Sequence, residues 1–119
     1  MTSAYRPVTA KTVYDAPPLH PQAQVLWRTA RKPGCTDCTL HEFARTVCLF
    51  GNGPVGAVGM IVGESPGSVD DEFQRPLLGT PGTYLDAVLA DLDLDRDSLY
   101  VTNAVKCLPP RENRDKLLE

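Results

Sequence analysis

The sequence predicts an α/β domain built on a parallel sheet. Two apolar runs of strand length, "AVGMIVG" (57–63) and "LYVTNAVKC" (99–107), lie on either side of an amphipathic helical stretch, and the polar turn "DLDRDS" precedes the second run. Strand, loop, helix, turn, strand is one βαβ unit. Such a unit demands parallel pairing and a right-handed crossover.

Taken in order, residues 1–21 carry "RPV", "APP" and "HP", too much proline for regular structure, and read as a flexible N-terminal arm before a domain over 22–119. Ala23, Leu26, Trp27 and Ala30 then recur at helical spacing until Pro33-Gly34, a short helix that delivers a C-x-x-C loop. "TVCLFGNGPVG" (46–56) reads as a short apolar strand entering a glycine-rich turn. In "GESPGSVDDEFQRPLLGTPG" proline and glycine follow one another too closely for helix or strand, so a long loop is expected. That loop follows the C-terminal end of a buried strand, where open α/β sheets place their ligands. Thr80 and Pro81 suit the N-cap and first turn of the next helix, whose Tyr84, Leu85, Val88, Leu89 and Leu92 share one face. The last residues, "RDKLLE", are polar and helix-favouring.

So small a sheet leaves a face and an edge uncovered, whereas parallel sheets bury both faces. The pattern is that of the first half of a larger α/β domain, and truncation is expected. At 119 residues, 42% hydrophobic and a net charge of −3, the chain is one globular domain at most. No apolar run approaches the roughly 18–20 residues of a membrane span, and "MTSAYRPVTAK" has no apolar signal core, so a cytoplasmic protein with no membrane partner is expected. The sequence sets no oligomeric state. The net charge argues against indiscriminate nucleic-acid binding, but its distribution is uneven. Nine of fifteen acidic residues fall between Glu64 and Asp97, while residues 1–48 carry six basic against three acidic groups and Lys106, Arg111, Arg114 and Lys116 follow the last strand. Both basic regions could face a polyanion, and scattered surface charge explains them nearly as well.

Cys35 and Cys38 form the C-x-x-C pair, and Cys107 ends the second strand of the βαβ unit beside two prolines. In a reducing compartment this set points to iron-sulfur or zinc rather than disulfides, with ordinary reduced thiols as the plain alternative. A thioredoxin-like pair needs its C-x-x-C at the head of a helix after a strand, and here a helix precedes it. Cys48, between Val47 and Leu49, reads as a small core residue. The "GESPG" loop lacks both G-K-[ST] and G-x-G-x-x-G, which excludes the nucleotide fingerprints. Its Glu64, followed by Asp70, Asp71 and Glu72, either forms a solvated acidic loop or polarises a water and stabilises a developing cation. Asn103 inside a buried strand must find partners, by tying a loop or by presenting its amide to a ligand.

Together, "CTDCTL", "MIVGESPGSVDDEFQRPLLGTPGTYLDAVL" and "LYVTNAVKCLPPRENR" resemble the N-terminal half of the uracil-DNA glycosylase superfamily, nearest its iron-sulfur, family 4-like branch, over residues 22–116. The resemblance implies a three-layer α/β/α fold and a hydrolase acting on N-glycosyl bonds, which flips deoxyuridine from DNA and cuts its glycosidic bond with water. It implies a pocket with Glu64 on the water-activating loop beside Gly63 and Ser65, and with Asp70 as a second carboxylate where relatives carry glutamate. It also implies that Asn103 reads the uracil edge and that Cys35, Cys38 and Cys107 are three of four ligands of a structural [4Fe-4S] cluster. The partner implied is uracil-containing DNA.

Departures accompany the match. Leu77 stands where an aromatic ring stacks on uracil in the family, a contact worth roughly 1–3 kcal/mol per base. The fourth cysteine is expected a few positions past Glu119, and the histidine motif that stabilises the uracil anion is absent. Loss of that group is expected to cost several decades in rate, by analogy with the roughly 100 to 1000-fold cost of removing one oxyanion donor. Two other readings follow: a non-catalytic fragment that binds DNA or a partner through its sheet edge, and a small zinc-binding module using the three cysteines and His41.

Overall fold

The computed structural model describes residues 17–110. The expected arm up to residue 16, the basic Arg111, Arg114 and Lys116, and the helix-favouring end lie outside the described residues. Residues 17–20 are tied to the domain: Arg75 Nε donates to Pro17 O, Asn52 Nδ2 to Pro18 O, and His20 N to Asn52 Oδ1 at 2.8 Å.

Helix α1 spans Pro21–Thr29. His20 caps it, its Nδ1 accepting from Gln22 N, and proline takes the first helical position, where no N–H is needed. Ala23 and Trp27, one turn apart, are buried with Leu49 in a small core flanked by Leu19 and Phe50. Trp27 Nε1 satisfies its buried N–H on Gly51 O at 2.7 Å, and the Arg31 guanidinium lies 4.3 Å from the Trp27 ring centroid while donating to Val47 O and Cys48 O. The helix thus serves as the backing for residues 47–51.

Strand β1 (Gly59–Gly63) pairs in parallel with β2 (Leu99–Asn103), in the register Gly59↔Leu99, Ile61↔Val101 and Gly63↔Asn103. The expected parallel α/β class stands. Between the strands lie helix α2 (Ser68–Phe73), helix α3 (Gly79–Asp91) and a 3₁₀ turn at Arg96–Ser98. All five residues of β2 are buried, whereas β1 alternates and leaves Met60 and Val62 61% and 57% exposed. β2 is covered because its other edge is also taken: Asn52 and Val101 exchange N–H···O bonds of 2.8 and 2.7 Å.

Three local expectations are corrected here. Residues 46–56 form no strand; the segment makes one antiparallel bridge at Asn52 and otherwise lies along β2. Glycine explains this, because a Cβ on Gly53 would stand 2.3 Å from Leu99 O and 2.7 Å from Tyr100 Cα, so only a bare backbone approaches β2 so closely. The loop after β1 contains α2, started by the Asp70 side chain accepting from Gly67 N and ended at Gln74 in the left-handed region. Helix α3 begins at Gly79 with Leu78 as N-cap, not at Thr80-Pro81. Of its predicted apolar face, Leu89 is buried while Tyr84, Val88 and Leu92 are more than half exposed.

Candidate functional site

At the C-terminal ends of the two strands is a cavity of about 340 Å³. It is lined by Glu64, Ser65, Asp70, Leu77 and Asn103, all singled out in the sequence, together with Pro66, Gly67, Val69 and the start of α3 from Leu78 to Pro81. A larger cavity of about 590 Å³, walled by Leu26, Phe50, Val55, Met60 and Tyr100, is mostly apolar and has few polar groups to orient a ligand.

Asn103 closes β2 and is fully buried, yet among the described residues neither Oδ1 nor Nδ2 has a hydrogen-bond partner. Leaving both ends of a buried amide unmade costs on the order of 1–3 kcal/mol each, so the site holds stabilisation in reserve for a ligand with one donor and one acceptor. Gly63 makes room for this amide: a Cβ there would lie 2.3 Å from Asn103 Oδ1 and 3.4 Å from Leu77 Cδ2. The β1–β2 register, Gly63 opposite Asn103, places the smallest residue beside the buried amide.

Glu64 continues from β1 with its backbone held, since Val105 N donates to Glu64 O at 2.9 Å and Ala104 N to Gly63 O at 2.8 Å. Its side chain is exposed at the cavity mouth. Asp70 is 5% exposed and both its oxygens are engaged: Oδ2 accepts from Gly67 N at 3.1 Å and Oδ1 from Leu78 N at 2.6 Å. Burial pushes its carboxyl above the ordinary aspartate range, opposed by those N–H groups and by the Arg96 charge. Leu77 sits on the wall with φ 52°, a left-handed conformation unusual for leucine. Among the described residues no N-cap side chain closes helix α3, whose first residues Gly79 and Thr80 border the cavity.

The acidic triplet divides by environment. Asp71 faces away from the cavity, accepting from Arg45 N and Thr46 N at 2.8 Å each, while Thr46 Oγ1 donates to Asp71 O. Glu72 is exposed beside Arg45. Sequence reasoning missed the Arg96 guanidinium, which donates to Pro76 O, Leu77 O and Gly82 O behind the wall.

All four cysteines are free thiols; Cys107 is buried, Cys38 exposed, and Cys35 and Cys48 half-buried. Cys48, expected in the core, instead lies beside Cys107, its backbone N–H donating to Cys107 Sγ at 3.3 Å, with φ 55°. Burial pushes the Cys107 thiol up, as do Cys38, Cys48 and Cys35 nearby, while the Cys48 N–H pulls it down. Among the described residues no three His, Cys, Asp or Glu side chains are grouped to hold a single metal ion. His41 Nδ1 meets Cys38 O, a contact within the same loop. No helix among the described residues is long and apolar enough to cross a membrane.

Residues 50–119 match the family model of the uracil DNA glycosylase superfamily, which is more than half the chain. The chain is similar to the type-4 uracil-DNA glycosylase of Pyrobaculum aerophilum, 37% identical over 86 residues that make up 70% of this chain and 43% of that protein. It is similar to the type-4 enzyme of Sulfurisphaera tokodaii, at 43% identity over 68% of this chain and 36% of the relative, and to that of Thermotoga maritima, at 38% over 64% and 39%. It therefore spans less than half the length of these relatives. A parallel βαβ unit with its pocket at the strand ends and the matched family model lead to one conclusion: the chain belongs to the uracil-DNA glycosylase superfamily.

Proposed function

We propose that this chain forms the uracil-reading part of a uracil-DNA glycosylase and that its substrate is uracil-containing DNA. The observation that carries the reading is the fully buried, unpartnered amide of Asn103 at the cavity's inner end. Uracil offers N3–H and O4 side by side, one donor and one acceptor, which suits an amide oxygen and an amide nitrogen. A base in duplex DNA cannot reach such a pocket while stacked, so the nucleotide must flip out.

Glu64 would then orient the attacking water from the mouth of the cavity. An exposed carboxylate can accept a proton there. Asp70, with both oxygens committed to N–H groups, acts through its charge on the cation that develops at the sugar. Gly63 and Ser65 shape the approach, and Leu77 supplies an apolar edge without the stacking of an aromatic ring. Binding and slow uracil release from single-stranded DNA are the expected activities. A fluorescence-anisotropy titration with uracil- and cytosine-containing oligonucleotides, followed by a uracil-release assay, tests this; equal affinity for both oligonucleotides with no release would overturn it.

Asn103→Asp is expected to abolish or reverse the preference for uracil over cytosine. A carboxylate accepts hydrogen bonds only, so it repels uracil O4 and welcomes the cytosine amino group. Competition between the two bases in the same titration checks it, and unchanged discrimination would mean that the amide does not read the base.

We also propose a [4Fe-4S] cluster on Cys35, Cys38 and Cys107, supported by the resemblance and by the affinity of thiolates for such clusters. Iron with acid-labile sulfide and absorbance near 400 nm is the expected result for protein purified without oxygen; stoichiometric zinc instead would make this a zinc module.

A further inference from the structure

We propose that Arg96 is a positioning residue of the pocket: together with Asp70 it clamps the Leu77–Leu78 peptide from both sides, and so sets where the Leu77 side chain stands against Asn103. The inference rests on the functional reading above for the identity of the ligand.

One peptide group is held at both ends. Its carbonyl, Leu77 O, accepts from Arg96 Nη2 at 2.6 Å, and its N–H, on Leu78, donates to Asp70 Oδ1 at 2.6 Å. The same guanidinium reaches Pro76 O at 3.2 Å and Gly82 O at 3.3 Å, and its Nε pairs with Asp86 Oδ1 at 2.6 Å. Its side chain is only 11% exposed. A planar fork can serve three carbonyls and a carboxylate at once, which a single ammonium cannot.

What the clamp holds is a conformation that leucine does not choose for itself. Leu77 has φ 52°, and with the peptide plane fixed on both sides the turn cannot rotate to relax. Gly82 closes the third side, since a Cβ there would stand 2.0 Å from Leu77 O. The result reaches the base pocket directly: Leu77 Cδ2 and Asn103 Oδ1 both border the point where a Gly63 Cβ would lie, at 3.4 and 2.3 Å. A flat ring that reads the Asn103 amide must pass this methyl group. Arg96 touches no part of the cavity itself and acts through Leu77.

The test is a double-mutant cycle on binding of uracil-containing single-stranded DNA, using Arg96→Lys, Leu77→Ala and the double variant. Arg96→Lys is expected to weaken binding about tenfold when Leu77 is present and less than about twofold in the Leu77→Ala background. An equal loss in both backgrounds would show general destabilisation and overturn the proposal. NMR of the free protein reads the clamp without any ligand. In Arg96→Lys the Leu78 amide and the Asn103 Nδ2 protons are expected to shift, and Leu78 hydrogen exchange to accelerate about tenfold; an unchanged spectrum would overturn the clamp. If the wild-type chain prefers neither oligonucleotide, the functional reading fails while the NMR result still decides the clamp. Should Arg96→Lys not fold, Asp86→Asn, which loosens the guanidinium from its far side, takes its place in both measurements with the same criteria.

Discussion

Gly63→Ala is expected to abolish specific binding of uracil-containing DNA and to lower the melting temperature. The new methyl group would sit 2.3 Å from Asn103 Oδ1, inside van der Waals contact, and Asn103 is fully buried with nowhere to yield except into the cavity. Overpacking of this kind costs roughly 1–3 kcal/mol, or on the order of 5–20 °C for a domain of this size. The binding loss is larger, at least about 100-fold, because a displaced amide leaves the base's polar edge unpaired. Gly59→Ala is the matched control four residues earlier on the same strand. Among the described residues its Cβ would meet only Leu99 Cδ2, at 3.2 Å, the mobile end of a side chain. Thermal unfolding and anisotropy on the two variants check the contrast, and undiminished uracil affinity in Gly63→Ala would put the base somewhere else.

Asp71→Ala is expected to destabilise the fold far more than Glu72→Ala. Its carboxylate is 5% exposed and is the acceptor for two backbone N–H groups, Arg45 N and Thr46 N, each at 2.8 Å. Two N–H groups deprived of a charged acceptor cost about 3 kcal/mol together, a large part of the 5–15 kcal/mol that keeps a domain folded. The change also frees the segment leading to Cys48, whose N–H meets Cys107 Sγ, so the Cys107 thiol should react faster with a thiol reagent. Glu72→Ala, one residue on, removes only an exposed pairing with Arg45 at 3.8 Å and should fall within about 0.5 kcal/mol of wild type. Denaturant midpoints for the two variants separate them; similar values would mean that Asp71 does not hold residues 45 and 46 in solution.

The βαβ unit was legible because its signals are local. Two apolar runs and one helical stretch are properties of neighbouring residues, and the chain length between the runs leaves only a crossover. The expected strand at 46–56 failed for the opposite reason. "TVCLF" has strand composition, but the chain meets β2 at Asn52 between the bare backbones of Gly51 and Gly53, and β-propensity measures side-chain packing that this approach does not use. Helix α2 was hidden because six residues between prolines and glycines show too little periodicity, while its start depends on one hydrogen bond from Gly67 N to Asp70.

The site divides in the same way. Residue types alone determined which groups have the chemistry: a carboxylate at a strand end, an amide where strands seldom carry one, small residues around it and three cysteines at telling spacings. Only the tertiary structure decided what each group touches. Asp70, Asp71 and Glu72 are consecutive and chemically alike, yet one steadies the pocket wall, one ties down a distant loop and one faces water. Arg96 gives no sign in the sequence of holding the pocket, because its three carbonyl partners lie 14 to 20 residues away. Hydrogen bonds to backbone atoms carry no residue-type signature, so such roles become readable only once the chain has folded.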